Sequence, residues 1–392
     1  MPRFPDVSKH AHSVSARVYS GLEQRALAKN EQIYRLHVGD TYRDPVAAAR
    51  AEHQLSAEHP GLHKYAPVHG EPSLIDAFIA NVQRRHGETL NPDLVQVMSG
   101  ATAGLSIVCQ VLLEPGDEVL LPSPFWPLSR GIIATKGAVP VQVPFYTRFD
   151  EPGFDAEAVL ESAVTERTAA LYINTPNNPS GRVLPDATIG AMMRVAKRHD
   201  LWVLCDEAYE EIYFDREPPD AVWRRADTRD RAIAFHTLSK TYGFAGARVG
   251  FTHGPEDVMD AIRGMQTFHT YCAPRPMQFG AVGALHYGDA WVEDSRSLYR
   301  DAGYEAADAL GVGRPEGGTF LFIDVSEQLD PGASDCSAFL ERCADAGVLL
   351  TPGQSCGADY AKWVRLCFTS VPPDQLAAAL GKLTPLFRTS IA

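Results

Sequence analysis

Between residues 94 and 235, apolar segments of strand length alternate with amphipathic segments of helix length, and this alternation constrains the fold more than any other feature. It predicts an α/β domain with an open, mostly parallel sheet that carries helices on both faces. Ligands of such sheets bind beyond the carboxyl ends of the strands, where the loops collect. The predicted strands are Leu94–Met98, Glu118–Leu121, Val139–Val143, Thr168–Ile173, Leu201–Cys205 and Ala232–Phe235. The predicted helices between them are Gly104–Leu113, Ala156–Ala163 and Asp186–His199.

A change in pattern after Gly254 predicts a second, smaller domain. Longer helical segments follow, and strands are predicted at Thr319–Val325 and Trp363–Cys367. This arrangement is typical of an α+β unit. We predict a large ligand-binding domain over residues 45–285 and a small C-terminal domain over residues 286–392, which the N-terminal segment 1–44 joins.

Composition excludes several classes of partner. The chain has 392 residues, of which 36 are Lys or Arg and 49 are Asp or Glu, so its formal charge is −13 without any long basic run. This balance argues against nucleic acid and anionic membranes as partners. The uncharged segment Leu94–Leu113 contains too many polar residues for a membrane span. Residues 1–12 lack the pattern of a secretory signal, and seven scattered cysteines fit a reducing cytoplasm without structural zinc or disulfides.

The segment His236–Gly250 contains a lysine that is better placed for chemistry than for structure. Lys240 lies just past a predicted buried strand and has hydroxyl-bearing and small residues as neighbours. A partly desolvated lysine loses proton affinity and becomes a nucleophilic amine that can condense with a carbonyl. The alternative interpretation is a solvated loop lysine, which is the common case for a lysine considered alone.

The turn Ser99–Gly104 follows one predicted strand and opens a helix. Small residues let the backbone approach an anion, and the helix N-terminus offers unpaired amide groups. The turn has neither a Walker lysine pattern nor a full dinucleotide fingerprint, so a single phosphate fits it better than a nucleotide. Close packing alone is the alternative explanation for its glycines.

Two proline-rich turns follow the next strands. Pro122–Pro127 brings Trp126 to the carboxyl edge, where its ring could cover a flat aromatic ligand or simply pack under a loop. In Asn174–Gly181, prolines and asparagines fix a turn that directs an amide side chain towards the cleft.

An aspartate closes the apolar strand Leu201–Cys205. Asp206 at that depth needs a cation or a strong hydrogen-bond donor, and a protonated ring nitrogen is one such donor. Tyr209, three residues later, would reach the same site. Capping of the next turn by Asp206 is the alternative.

Together these motifs resemble the class I/II aminotransferases, which are pyridoxal-phosphate enzymes of the aspartate aminotransferase fold, also called fold type I. The Gly100–Thr102 turn, the Asn178–Gly181 turn, Asp206 with Tyr209, and Lys240 occur in the order and approximate spacing of that family. The resemblance extends from about Ile33 to Phe387 and implies that the large domain binds the cofactor.

The resemblance also implies residue roles. Lys240 would form the Schiff base with the aldehyde of pyridoxal 5'-phosphate, and Asp206 would pair with the pyridine nitrogen. Tyr209 and Asn178 would bond the ring hydroxyl, while Trp126 would stack on the ring. The implied phosphate ligands are Ala101, Thr102, Thr237, Arg248 and, from the neighbouring subunit of a homodimer, Tyr65. The implied substrate ligands are Arg365 for the α-carboxylate, Gly39 and Asn178.

Three positions depart from well-known members of the family. Thr102 stands where some aspartate-specific relatives place a lysine, Ser129 replaces a common tyrosine, and Ala247 replaces a common tryptophan. These changes put aspartate specificity by the usual route in doubt and enlarge or depolarise the surroundings of the site. Arg43 and Arg275 are candidates for a second carboxylate ligand, with solvated surface arginines as the alternative.

The resemblance implies a cytoplasmic, homodimeric aminotransferase that moves an amino group between an L-amino acid and a 2-oxo acid through Lys240 in ping-pong half-reactions. Because the fold supports several chemistries, a pyridoxal-phosphate lyase or another biosynthetic enzyme stays open. A ligand-sensing regulator is the third hypothesis. It would usually carry an N-terminal DNA-binding domain, for which the about 35 residues before the Gly39 turn are too few.

Overall fold

The structure is a computed structural model that describes residues 21–51 and 61–388. The expectation for the signal region, and the part of the N-terminal segment that falls on residues 1–20, lie outside the described residues. Along the described parts of the chain, no helix has the length and apolar character needed to cross a bilayer.

Strands and helices alternate through most of the described chain, and they are numbered in chain order. The strands are β1 (Tyr34–Arg35), β2 (Val95–Met98), β3 (Glu118–Ser123), β4 (Val139–Pro144), β5 (Thr168–Asn174), β6 (Trp202–Asp206), β7 (Ala232–Thr237), β8 (Gly250–His253), β9 (Phe320–Asp324), β10 (Val348–Leu349), β11 (Thr351–Pro352) and β12 (Trp363–Cys367). The helices are α1 (Leu22–Lys29), α2 (Pro72–His86), α3 (Ala101–Leu112), α4 (Pro127–Ala134), α5 (Ala156–Glu161), α6 (Asp186–Arg198), α7 (Leu238–Thr241), α8 (Glu256–His269), α9 (Arg275–Tyr287), α10 (Asp289–Leu310), α11 (Ser337–Asp345) and α12 (Pro373–Arg388).

The central sheet has seven strands in the order β2-β8-β7-β6-β5-β3-β4. All neighbouring pairs from β7 to β4 are parallel, whereas β8 runs antiparallel to both β7 and β2. The predicted mostly parallel sheet is confirmed, and so is the division of Leu94–Leu113 into strand, turn and helix. Strand β8 was not predicted, because its four residues directly follow the Lys240 segment with no alternation to mark them.

The two faces of the central sheet pack against separate layers of helices. On β5, Leu171 and Ile173 belong to the cluster that includes residues of α2, α6 and α9. Ala170 and Tyr172 belong to the opposite cluster, which includes residues of α3 and α8. Because side chains alternate along a strand, residues two positions apart share a face.

This alternation brings three polar strand ends together. Asn174, Asp206 and Thr237 are the last residues of β5, β6 and β7, which are adjacent and parallel. Each stands two positions after a residue of the α3-facing cluster, so all three lie on that face at the carboxyl edge. The sheet therefore positions an amide, a carboxylate and a hydroxyl at one place.

A second core surrounds the antiparallel sheet β11-β12-β9. Its buried cluster includes Leu36, Phe320, Phe339 and Leu366. The N-terminal part of the chain joins this unit, because β1 pairs in parallel with β10. The domain boundaries at residues 45 and 285 stay a prediction.

Candidate active site

A cavity of about 400 Å³ opens at the carboxyl edge of the central sheet. It collects side chains that the sequence distributes over distant segments. The predicted site residues that line it are Gly39, Ala101, Thr102, Trp126, Asn178, Asp206, Tyr209, Thr237, Lys240, Arg248 and Arg365. Convergence of this kind in one cleft is typical of an active site.

Lys240 lies in the short helix α7, directly after β7. Its Nζ donates a hydrogen bond of 2.5 Å to the carbonyl oxygen of Gly39. Burial lowers the pKa of the Lys240 amine, and the nearby guanidinium groups of Arg365 and Arg248 lower it further, against the opposing effect of the Asp40 carboxylate. The neutral, nucleophilic form is therefore more populated than in an exposed lysine.

A candidate anion site lies where α3 begins. In the first turn of α3, the backbone N of Ala103 donates to the carbonyl oxygen of Gly100 at 3.1 Å, which leaves the amide groups of Ala101 and Thr102 for a ligand. Gly100 precedes them with φ of 82°. A Cβ atom on Gly100 would come within 2.6 Å of Nη2 of Arg248. Arg248 donates from Nη1 to the carbonyl oxygen of Ala245 at 2.8 Å, and it forms no salt bridge within the described residues. Its charge is available to a bound anion.

Thr237 contributes a hydroxyl beside this anion site. Its Oγ1 caps α7 by accepting from the backbone N of Ser239 at 3.2 Å. The same Oγ1 donates to Oγ of Ser239 at 2.8 Å. Both hydroxyl groups line the cavity, so they can serve a phosphate together.

Asp206 is a buried carboxylate at the end of β6, with 9% of its surface exposed. Its Oδ2 accepts a short hydrogen bond from the phenol of Tyr172, and its Oδ1 accepts from the backbone N of Ala208 at 3.1 Å. Burial raises the pKa of Asp206, while these two donors lower it. No cationic side chain among the described residues pairs with it, so a cationic ligand atom would complete its environment.

Arg365 extends from β12 into the same cavity. Only 4% of it is exposed. Its Nη1 donates to Oδ1 of Asn178 at 3.0 Å, and its Nη2 donates to the carbonyl oxygen of His37 at 3.1 Å. The guanidinium stacks 4.4 Å from the ring centroid of Phe320. Through Nδ2, Asn178 also donates to the Tyr209 hydroxyl at 3.3 Å.

The charge of Arg365 has no carboxylate partner within the described residues, and its Nε has no hydrogen-bond partner there. A buried, unneutralised guanidinium is costly unless a ligand supplies the anion. A planar carboxylate matches its donor geometry. The cavity is thus lined by two guanidinium groups, Arg248 and Arg365, and each is a candidate site for an anion.

The positions that depart from the family pattern lie at different depths. Thr102 lines the cavity at the start of α3. Ser129 is fully buried and donates from Oγ to the carbonyl oxygen of Trp126 at 2.7 Å, and Ala247 is also buried. Because neither Ser129 nor Ala247 lines the cavity, each would affect a ligand through its neighbours.

Three predicted residues lie outside this cavity. Tyr65 is 81% exposed, and its ring lies against that of Tyr271, with centroids 5.0 Å apart. Arg43 pairs with Asp294 at 2.7 Å. Arg275 pairs with Glu71 at 2.5 Å. Both guanidinium groups are thus neutralised away from the cavity.

Four residues of the site or its support were not predicted from the sequence: His37, Tyr172, Ser239 and Phe320. Tyr172 could have been found, because it stands two positions before Asn174 in a strand and must share its face. Ser239 could have been found as a hydroxyl between Thr237 and Lys240. His37 and Phe320 gave no local signal, since only tertiary packing brings their segments to the cavity.

Comparisons with known proteins agree with this geometry. The family model for aminotransferase class I and II matches residues 31–383. Arginine–pyruvate transaminase from Pseudomonas aeruginosa is 33% identical over 380 residues, which cover 93% of this chain and 93% of that protein. Aspartate/prephenate aminotransferase from Thermus thermophilus is 32% identical over 324 residues, which cover 79% of this chain and 80% of that protein.

Solved structures share the fold. A single mutant of aspartate aminotransferase from Thermus thermophilus has a TM-score of 0.87 and 28% identity, over 97% of this chain and 99% of that chain. N-succinyldiaminopimelate aminotransferase from Mycobacterium tuberculosis has a TM-score of 0.87 and 27% identity, over 97% of this chain and 100% of that chain. These likenesses confirm the predicted fold type I and an aminotransferase activity. The chain belongs to the class I and II aminotransferases.

Proposed function

We propose that this aminotransferase binds pyridoxal 5'-phosphate covalently at Lys240 and transfers amino groups between an L-amino acid and a 2-oxo acid. One observation carries the proposal: a single cavity joins a lysine of lowered pKa, a buried carboxylate and two guanidinium groups, and neither the carboxylate nor either guanidinium has an ion-pair partner among the described residues. The cofactor and the substrate carboxylate match these groups one by one.

The residues fit the parts of the cofactor. Arg248, Thr237, Ser239 and the first amides of α3 would hold the phosphate, and Gly100 leaves the space that Arg248 needs. Asp206 would face the pyridine nitrogen, Asn178 and Tyr209 the ring hydroxyl, and Trp126 the ring plane. When bound, pyridoxal phosphate supplies an electron sink for the substrate Cα.

Side chains of the protein would then stabilise the charges and transfer the protons of the reaction. The Asp206 carboxylate would hold a proton on the pyridine nitrogen, because a buried carboxylate is stabilised by a charged donor. Arg365 would bind and orient the substrate α-carboxylate beside Asn178 and Gly39. The Lys240 amine, once free, would take the proton from the substrate Cα and return it as a general acid.

Two measurements test this proposal. Borohydride reduction of the holoenzyme followed by peptide mass spectrometry should place the cofactor on Lys240, and label elsewhere would contradict the proposal. A panel of amino acids added without a 2-oxo acid should convert the cofactor to its amine form with one equivalent of 2-oxo acid released. Release of ammonia or a thiol would instead support the lyase alternative. The donors named in the relatives' own names differ, so the panel must span acidic, basic and neutral side chains.

We further propose that the active unit is a cytoplasmic homodimer in which Tyr65 reaches the phosphate of the neighbouring subunit. The support is its position: Tyr65 is 81% exposed and lies away from the cavity of its own chain. A large aromatic side chain at that exposure is common at interfaces between subunits. Sedimentation at catalytic concentrations should give the mass of two chains.

A further inference from the structure

Tyr172 is a buried phenol that contacts the Asp206 carboxylate from beneath the cavity. It lies on β5, has 2% of its surface exposed and packs in the α3-facing cluster. Its hydroxyl donates a short hydrogen bond to Oδ2 of Asp206. Tyr172 does not line the cavity, so it can influence a ligand only through Asp206.

The geometry makes this contact an orienting one. Asn174, two residues after Tyr172, donates from Nδ2 to the main-chain oxygen of Asp206 at 3.0 Å. The backbone N of Ala208 donates to Oδ1 at 3.1 Å. The aspartate is therefore held at its main chain and at each carboxylate oxygen. Because a carboxylate oxygen can accept two hydrogen bonds, the cavity side stays available to a ligand.

The direction of the hydrogen bond follows from protonation. Burial, together with the neighbouring Asp206 charge, raises the pKa of Tyr172 well above its ordinary value, so the phenol stays protonated and must be the donor. Among the described residues, Tyr172 is the only side chain with a hydrogen bond to the Asp206 carboxylate. Without the Tyr172 phenol, burial would still raise the pKa of Asp206, and no side-chain hydrogen bond from the described residues would lower it.

We propose that Tyr172 is a positioning residue for transamination: its phenol orients the Asp206 carboxylate and keeps it ionised, and thereby maintains the proton on the pyridine nitrogen of the cofactor. This inference rests on the proposed function, in which Asp206 faces that nitrogen. In this view the ionisation of Asp206, which would touch the cofactor, depends on a buried residue that does not touch it.

The test is the variant Tyr172→Phe, studied as holoenzyme. Loss of one hydrogen bond to a charged group should lower kcat by roughly 10- to 100-fold. KM for the amino acid should stay within about threefold, because the Arg365 site is untouched. The acid limb of the kcat/KM profile should move to higher pH by about one unit or more, since the carboxylate loses a group that favours its ionised form.

Tyr146→Phe is the matched control. Tyr146 is also a buried tyrosine of this region, 1% exposed, but its hydroxyl donates to the carbonyl oxygen of Asn174 at 2.8 Å and not to a carboxylate. Its removal should lower thermal stability without moving the acid limb. Equal effects of the two variants on the acid limb, or an unmoved limb in Tyr172→Phe, would overturn the inference.

Two further measurements separate failure of this inference from other failures. Borohydride labelling of Lys240 in the wild type and in Tyr172→Phe reports the proposed function independently, so a labelled variant with an unmoved acid limb contradicts only the role of Tyr172. If Tyr172→Phe does not fold, Tyr172→His, which keeps a ring N–H donor, should fold and keep the wild-type acid limb. A shifted limb or loss of folding in Tyr172→His would also count against the proposal.

Discussion

Replacement of Arg365 by methionine would test how the substrate carboxylate is recognised. Methionine keeps an apolar stem against Phe320 and removes only the guanidinium, which the free protein leaves without a carboxylate partner in the described residues. Breaking one side of a buried ion pair costs about 3–5 kcal/mol. At about 1.4 kcal/mol for each factor of ten, kcat/KM for amino acids should fall roughly 10²- to 4 × 10³-fold.

The half-reaction gives the cleanest assay of this variant. Single-turnover conversion of the cofactor to its amine form, followed by absorbance against amino acid concentration, separates substrate affinity from the chemical step. Dissociation of pyridoxal phosphate should change less than about threefold, because Arg365 lies at the other anion site. Arg43→Ala is the control, since Arg43 is already paired with Asp294 outside the cavity, and it should leave the half-reaction nearly unchanged.

Two results would refute the reasoning. An equal loss of cofactor and amino acid binding in Arg365→Met would mean that Arg365 supports the cavity as a whole. A kcat/KM within about threefold of the wild type would mean that another group holds the carboxylate. A large effect of Arg43→Ala would identify that group as the alternative ligand raised by the sequence.

Three other perturbations have defined outcomes. Gly100→Ala forces a Cβ to within 2.6 Å of Arg248 in a backbone conformation with positive φ, so pyridoxal phosphate should dissociate at least about tenfold more readily, measured by fluorescence. Uptake of the cofactor by the apoprotein should accelerate as pH rises, with a midpoint below the ordinary lysine value of about 10.4, because burial favours the neutral Lys240 amine. Mixed dimers of Lys240→Ala and Tyr65→Phe should contain one site with both native residues and regain near-native cofactor affinity there, which neither parent dimer has.

The sequence was sufficient for six of the seven strands of the central sheet, because their signal is periodic and local. The strands at Val139 and Trp363 begin where the sequence predicts, and the helix at Asp186 does as well. What the sequence could not predict is the antiparallel strand β8, whose residues 250–253 are too few to show a period. Gly250 is required there by tertiary contact, since a Cβ would lie 2.5 Å from the carbonyl oxygen of His236.

The residues of the candidate site also fall into two groups, those that the sequence can place and those that only tertiary structure can place. Residues at strand ends, such as Asp206, could be placed from the rule that ligands bind at the carboxyl edge. Residues that reach the cavity from the antiparallel sheet β11-β12-β9 could not be placed by this rule. Arg365 was identified only through resemblance to a family, and the packing of Phe320 beneath its guanidinium depends on how β9 and β12 pair, with Arg365 opposite Phe322. Pairings between distant segments leave no local pattern.

The charge distribution of the cavity links its parts. The protein has a formal charge of −13, yet the described residues that line the cavity include Lys240, Arg248 and Arg365, with Asp206 as their carboxylate. Since surface charges are screened beyond about 8 Å in physiological salt, anions would be recognised by these local groups and not by the net charge.

The two guanidinium groups also lower the pKa of the Lys240 amine. A phosphate at Arg248 and a carboxylate at Arg365 would neutralise them and raise that pKa again, and by linkage each anion would favour the protonated amine. Lys240 would thus become a stronger base when a substrate occupies Arg365, which is when the Cα proton must be removed.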